Sequence, residues 1–166
     1  MSSKTFESGE DFTTDFYGPS SDKDWKIGDV MISNPLCIRE TDVLNFYDPK
    51  LPWRQYRHLP VVDSENVLKG ILSHRDIMDE AVNRLVGPQT GNSDFTSEKG
   101  IPVNTIMKKE VVSIHPEATV QEAAYKMFSN KCGCLPVVDE RNRVLGIVTE
   151  ADLVKLFYLY SEGGCP

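Results

Sequence analysis

Leu59-Pro60-Val61-Val62-Asp63 and Leu135-Pro136-Val137-Val138-Asp139 are the same five residues, 76 positions apart. That shift of 76 also carries Met31 to Met107, Ile38 to Ile114, Asn66 to Asn142, Gly70 to Gly146, Ile71 to Ile147 and Asp76 to Asp152. Two further positions change conservatively, Ser73 to Thr149 and Ile77 to Leu153. One offset holds from Met31 to Ile77 without a gap. Chance matches do not keep register over such a length, so the chain contains an internal duplication.

Each unit predicts the order β-α-β-β-α. A short apolar run (Leu36 to Ile38; Val111 to Ile114) reads as a strand. A helix follows, clearest in the second unit, where Thr119-x-x-Glu122 is a capping box and Val120, Ala123, Ala124, Met127 and Phe128 fall on one face. Pro60-Val-Val62 with Val67 to Leu72, and Pro136-Val-Val138 with Val144 to Val148, then read as β-hairpins. Their turns, Asp63 to Asn66 and Asp139 to Arg143, hold Asp and Asn, which tolerate left-handed backbone. A last helix begins near Ser73 or Thr149. The first carries a stripe of Ile77, Met78, Ala81, Val82 and Leu85. The second is apolar almost all round, through Leu153, Val154, Leu156, Phe157 and Leu159, and a helix of that kind is expected to be buried in part against another copy. In the first unit Pro49 and Pro52 stop the middle helix early, leaving Trp53 to His58 irregular. Trp53 and Tyr56 either stack on a base or cover the core which that shortened helix leaves open.

The 166 residues divide as an acidic tail (1–25), a first repeat (26–86), a linker (87–104), a second repeat (105–160) and a short C-terminal tail (161–166). The tail holds six acidic residues against two lysines, with Phe6, Phe12, Phe16 and Tyr17 as docking points, a composition expected to be flexible. Apolar residues make up 40% and charged residues 26%, enough for a core in a soluble chain. The N-terminus lacks the pattern of a signal peptide, and no apolar run is long enough for a membrane helix, so a cytoplasmic protein with no membrane partner is expected. A net charge of −7 disfavours nucleic acid. Cys37, Cys132, Cys134 and Cys165 form no Cys-x-x-Cys unit and have no histidine at metal-ligand spacing, so no metal site is expected. They read as free thiols, with a redox role for Cys132-Gly133-Cys134 as the alternative.

The repeated Leu-Pro-Val-Val-Asp, followed by Gly70-Ile-Leu-Ser-x-x-Asp76 and Gly146-Ile-Val-Thr-x-x-Asp152, resembles a tandem CBS-domain pair, or Bateman module, over residues 30–80 and 106–160. The resemblance implies an α/β (α+β) fold, two β-α-β-β-α repeats packed as a pseudo-twofold pair. It also implies two clefts between the repeats that take adenosine-containing ligands, and a homodimer. In that family the Ser/Thr and Asp of the motif hold the ribose and first phosphate, which here points to Ser73 with Asp76, and Thr149 with Asp152. Candidate contacts around the first pair are His74, Arg75, Arg57, His58, Pro60 and Ile38. Around the second they are Gly133, Cys134, Pro136 and Val112. The residue types suit such a ligand, since a carboxylate accepts from both ribose hydroxyls and the free N–H groups of a helix start favour a phosphate. The same motif is also an ordinary helix cap. His58, His74, Arg54, Arg57 and Arg75 make the first site the better one for a polyphosphate, whereas Gly133, Cys134, Glu150 and Ala151 at the matching positions suit it poorly. No cofactor is implied. The expected ligand is an adenine nucleotide (AMP, ADP or ATP), although S-adenosylmethionine, NAD(H) and cyclic dinucleotides share its adenosine features.

Three functional classes remain in play. A regulatory module would bind nucleotide and signal to a separate effector protein, since the tail and linker leave no room for a catalytic domain. A ligand-free dimerisation scaffold is the alternative, with both aspartates serving only as caps. Catalysis is not expected, because His58, His74 and His115 show no nucleophile-and-base spacing.

Overall fold

The structure, a computed structural model, describes residues 25–44, 56–86 and 100–160. The acidic tail, Pro49, Pro52, Trp53, Arg54, most of the linker, the Leu85 side chain and Cys165 lie outside the described residues.

The Leu-Pro-Val-Val stretches form the first strands of two matching hairpins, one in each sheet. In the first, β4 (His58–Val62) pairs antiparallel with β5 (Leu68–Ser73), placing Leu59 opposite Leu72 and Val61 opposite Gly70. In the second, β7 (Cys134–Val138) pairs with β8 (Val144–Thr149), placing Leu135 opposite Val148 and Val137 opposite Gly146. Both hairpins bulge at the second valine, between Val61 and Val62 and between Val137 and Val138. At each tip the Asp side chain accepts two backbone N–H bonds, from Glu65 and Val67 to Asp63 and from Arg141 and Arg143 to Asp139. Asn66 (φ 64°) and Asn142 (φ 59°) then take the left-handed turn, as their residue type predicts.

The outer strands of each sheet come from both halves of the chain. β2 (Ile38–Arg39) runs parallel to β4, and Ile114 makes the matching single bridge to Val137. The expected strand over Val111 to Ile114 thus shrinks to one bridged residue. On the other edge the connections cross over. β1 (Ile32–Ser33) pairs with β8 of the second sheet, while Lys108 bridges Ile71 on β5 of the first. The short helices before them, α1 (Ile27–Val30) and α3 (Val103–Ile106), follow the same exchange. Ile27 is buried with Ile114, Ala123, Met127 and Leu135, whereas Val103 and Ile101 are buried with Leu59, Val61, Leu72 and Ile77. β3 (Val43–Leu44) pairs with β6 (Ile101–Pro102), closing the first core.

The crossing depends on two glycines. A Cβ on Gly70 would lie 2.8 Å from both the Lys108 carbonyl oxygen and the Met107 sulfur, and one on Gly146 would meet Met31 in the same way. Each methionine therefore lies across a strand that has no side chain at that point. Between the sheets a third cluster, Val62, Leu68, Val138 and Val144, draws equally on both units. Above it the hairpin tips interlock. The Leu68 N–H donates to the Asn142 carbonyl, the Val144 N–H to the Asn66 carbonyl, and the Asn66 amide donates to the Val144 carbonyl at 2.8 Å.

Three longer helices flank the sheets: α2 (His74–Val86), α4 (Val120–Asn130) and α5 (Glu150–Tyr160). The capping box of α4 is present, with the Thr119 hydroxyl accepting from the Glu122 N–H at 3.1 Å and the Glu122 carboxylate accepting from the Thr119 N–H at 2.7 Å. Its buried stripe is narrower than expected. Ala123 and Met127 are buried, but Ala124 and Phe128 are exposed, because the second core is already filled by Ile27, Ile114, Val137 and Val148. On α5 Leu153 and Leu156 are partly buried while Val154, Phe157, Tyr158 and Leu159 remain exposed in the single chain.

Candidate functional site

Both Ser/Thr-x-x-Asp motifs lie where a strand ends and a helix begins. Ser73 closes β5 and Asp76 sits in the first turn of α2; Thr149 closes β8 and Asp152 sits in the first turn of α5. In the first, one Asp76 oxygen (Oδ2) accepts from both the hydroxyl and the N–H of Ser73. In the second, Asp152 Oδ2 accepts from the Thr149 N–H at 2.9 Å and its hydroxyl at 2.7 Å. Both motifs therefore act as helix caps in the folded chain. Each places a half-buried carboxylate at a helix start, with its second oxygen turned away from the cap.

The strand beside each motif supplies its other neighbours. His58 stands opposite Ser73 and Cys134 opposite Thr149. The Arg57 carbonyl accepts the His74 N–H at 3.0 Å, and the Gly133 carbonyl accepts the Glu150 N–H at 3.1 Å. The fold thus gathers Ser73, His74, Arg75, Asp76, Arg57 and His58 at one strand-end, and Thr149, Asp152, Gly133 and Cys134 at the other. His74, Arg75 and Arg57 are exposed there. Four other candidates lie deeper. Pro60, Pro136 and Ile38 are buried within their sheets, and Val112 packs partly buried against the second core. Tyr56 is exposed and joins none of the core clusters, so the core-covering role does not fall to it.

One neighbour escaped the sequence reading. The Lys108 ammonium lies 3.2 Å from the second Asp76 oxygen (Oδ1). It reaches there because the strand crossing carries residue 108 from the second repeat to the edge of the first sheet. Only the alignment of Met31-Ile32 with Met107-Lys108 hinted at it, and that alignment does not say which sheet the segment joins.

Electrostatics separate the two sites. Burial opposes ionisation of Asp76, but the Ser73 hydroxyl and N–H and the Lys108 ammonium together outweigh it and hold the carboxyl below the usual range. Burial, then the neighbouring Arg57 charge, pushes His58 down from its ordinary 6.5 against the opposing pull of Asp76 and Glu150. At the second site burial, helped by Cys132 and Glu150, pushes the Cys134 thiol up to about 12, and burial also raises Cys132. Such thiols are poor thiolates at neutral pH, which counts against the redox reading of Cys132-Gly133-Cys134. Glu150 acts on His58 and Lys108 acts on Cys134, so the two helix starts lie within electrostatic reach of each other. Among the described residues no His, Cys, Asp and Glu cluster could hold a metal ion, and no helix is long and apolar enough to cross a membrane.

Two hairpin-and-helix units, exchanging their leading strands about a pseudo-twofold axis and each carrying a hydroxyl–carboxylate pair at a helix start, define a paired α+β module. The CBS domain family model matches residues 50–83 and 103–158, and the chain belongs to that family as a tandem CBS pair. Among solved structures it resembles a protein assigned to acetoin utilization (AcuB) from Vibrio cholerae, at 30% identity and a TM-score of 0.66, covering 81% of this chain and 92% of that one. It also resembles the CBS domain pair of protein MJ0100 in complex with 5′-methylthioadenosine and S-adenosyl-L-methionine, at 27% identity and a TM-score of 0.63, covering 81% of this chain and 97% of that one. Among curated proteins, inosine-5′-monophosphate dehydrogenase of Methanocaldococcus jannaschii is 29% identical over 130 residues, which are 78% of this chain and 23% of the enzyme. The chain thus spans about a quarter of that relative's length.

Proposed function

We propose that the chain is a regulatory module that binds adenosine-containing nucleotides in two clefts between its CBS repeats and passes ligand state to a separate partner protein. The observation that carries this reading is the pair of matching carboxylates, Asp76 and Asp152, each held at a helix start by its own hydroxyl residue. Such a carboxylate can accept the hydroxyls of a ribose diol, and the positive end of the helix dipole beside it favours a phosphate. The complex of the MJ0100 pair with two adenosine compounds supports the ligand class. AMP, ADP and ATP are the ligands proposed for the site of Ser73 and Asp76, and an adenosine-containing compound for the site of Thr149 and Asp152.

Binding across the two units would bias their relative angle, because the strand exchange ties each sheet to the other repeat. The apolar residues exposed on α4 and α5, Phe128, Val154, Phe157 and Leu159, support a homodimer through that face. A cytoplasmic regulator without catalytic activity of its own fits this reading.

Thermal unfolding of the purified protein against millimolar AMP, ADP, ATP and S-adenosylmethionine tests it, with D76A and D152A alongside. A ligand at about 100 times its dissociation constant stabilises by about 2.7 kcal/mol, a shift of several degrees. The expected result is a shift that one or both variants abolish. No shift with any nucleotide, in folded and nucleotide-free protein, would instead favour the ligand-free scaffold.

A further inference from the structure

We propose that Lys108 sets the charge class of ligand at the Ser73–Asp76 site, selecting adenosine compounds with an anionic 5′ substituent, and that Ile32 at the equivalent position leaves the Thr149–Asp152 site to compounds whose 5′ substituent is uncharged. This inference rests on the nucleotide-binding reading and adds the residue that divides its ligands. The two positions are the same place in the two halves. Both follow a methionine that lies against a strand glycine, and both bridge the isoleucine after that glycine, Lys108 to Ile71 and Ile32 to Ile147. At the first site this position carries an ammonium group 3.2 Å from Asp76. At the second it carries an aliphatic side chain, 52% exposed.

The surrounding positions differ in the same sense. Arg57, His74 and Arg75 correspond to Gly133, Glu150 and Ala151. Lys108 makes an ionic contact with the motif carboxylate itself. Asp76 spends one oxygen on the Ser73 cap and the other on Lys108. A ribose diol arriving at Asp76 therefore competes with the lysine for Oδ1. The displaced ammonium stays beside the helix start, where a 5′-phosphate accepts it and restores a charge-assisted hydrogen bond. A ligand with an uncharged 5′ group breaks the same ion pair and offers nothing in return. The ion pair is lost with either ligand, so discrimination comes from the contact that only an anionic 5′ group restores. The lysine side chain is 63% exposed, and an ion pair so open to solvent contributes little to folding, so replacing it leaves the module intact.

Calorimetric titration with AMP and with 5′-methylthioadenosine tests the inference in a D152A background, where the first site alone reports. K108I, which copies the second site, is expected to weaken AMP about tenfold or more while 5′-methylthioadenosine binds as well as before or more tightly. K108R is expected to keep the preference for AMP. In a D76A background, I32K is expected to strengthen AMP at the second site. Equal loss of both ligands in K108I, or no change in either, would overturn the role of Lys108 while leaving nucleotide binding standing. Failure of the unmodified protein to bind either compound would remove the nucleotide reading, and this inference with it.

Discussion

Asn66 and Asn142 do two things that no other residue type does together. Their backbones turn left-handed at the hairpin tips, and their side-chain amides cross to the other repeat, Asn66 to the Val144 carbonyl and Asn142 to the Leu68 carbonyl. Asn and Ala both carry a Cβ, but Ala lacks the short polar side chain that offsets the left-handed penalty of about 1–2 kcal/mol, and it also loses a hydrogen bond of about 1 kcal/mol. N66A is expected to lose about 2–3 kcal/mol in urea unfolding. N66G keeps the turn and should lose less; equal losses would place the whole cost in the amide. His58 supplies a pH prediction. Burial and Arg57 lower its folded value below 6.5, so as pH falls through 6.5 the unfolded chain takes up a proton that the folded one resists. Stability contributed by neutral His58 is full above that pH and is lost as pH drops toward the folded value. H58Q should therefore lose less stability than the parent between about pH 7.5 and about pH 5.5 in urea titrations. An unchanged difference would show that His58 titrates alike in both states.

The hairpin is the element that survives every comparison between the two halves. Register, bulge, Asx turn and glycine recur at the same places, because the sheet alternation, the left-handed turn and the close methionine contact each demand one residue type. G70A puts a methyl group against a backbone oxygen as well as the Met107 sulfur, and backbone cannot step aside as a side chain can. The expected cost is about 1–3 kcal/mol. G133A, whose Cβ would meet only the Glu150 carboxyl group at 3.5 Å, is the control and should cost distinctly less. Comparable midpoints for the two variants in thermal unfolding would contradict the packing account. Other elements were harder to read. The apolar spacing of α4 gave its helix and cap correctly but overstated its buried face, since periodicity reports which residues share a side and not how far the core extends.

At the scale of the molecule, the strand exchange means that neither repeat is complete without its neighbour's leading segment. Ile27 fills the second core and Ile101 with Val103 fills the first, so the two units are expected to unfold together in a single transition. The exposed apolar face of α4 and α5 is the other molecular feature, with Phe128 at 64% and Phe157 at 58% exposure in one chain. F157D places a charge there without touching the buried core. Light scattering after gel filtration is expected to show a dimer for the parent and a monomer for F157D, with thermal unfolding of the isolated monomer still cooperative. A parent that stays monomeric at high concentration would assign that face to a different partner.

The duplication, the two hairpins, the turn asparagines and the paired hydroxyl–carboxylate motifs were all legible in the residues, because each is a local rule about spacing, backbone freedom or capping. The exchange of leading strands was not, since residues 26–33 and 100–108 carry too few positions to say which sheet they join. With that exchange went Lys108, which is 32 residues from Asp76 in the chain and 3.2 Å from it in space. Chain order already gave the first motif the more basic neighbours, Arg57, His74 and Arg75; long-range strand pairing added an ammonium group beside its carboxylate and an isoleucine in the same position by the other.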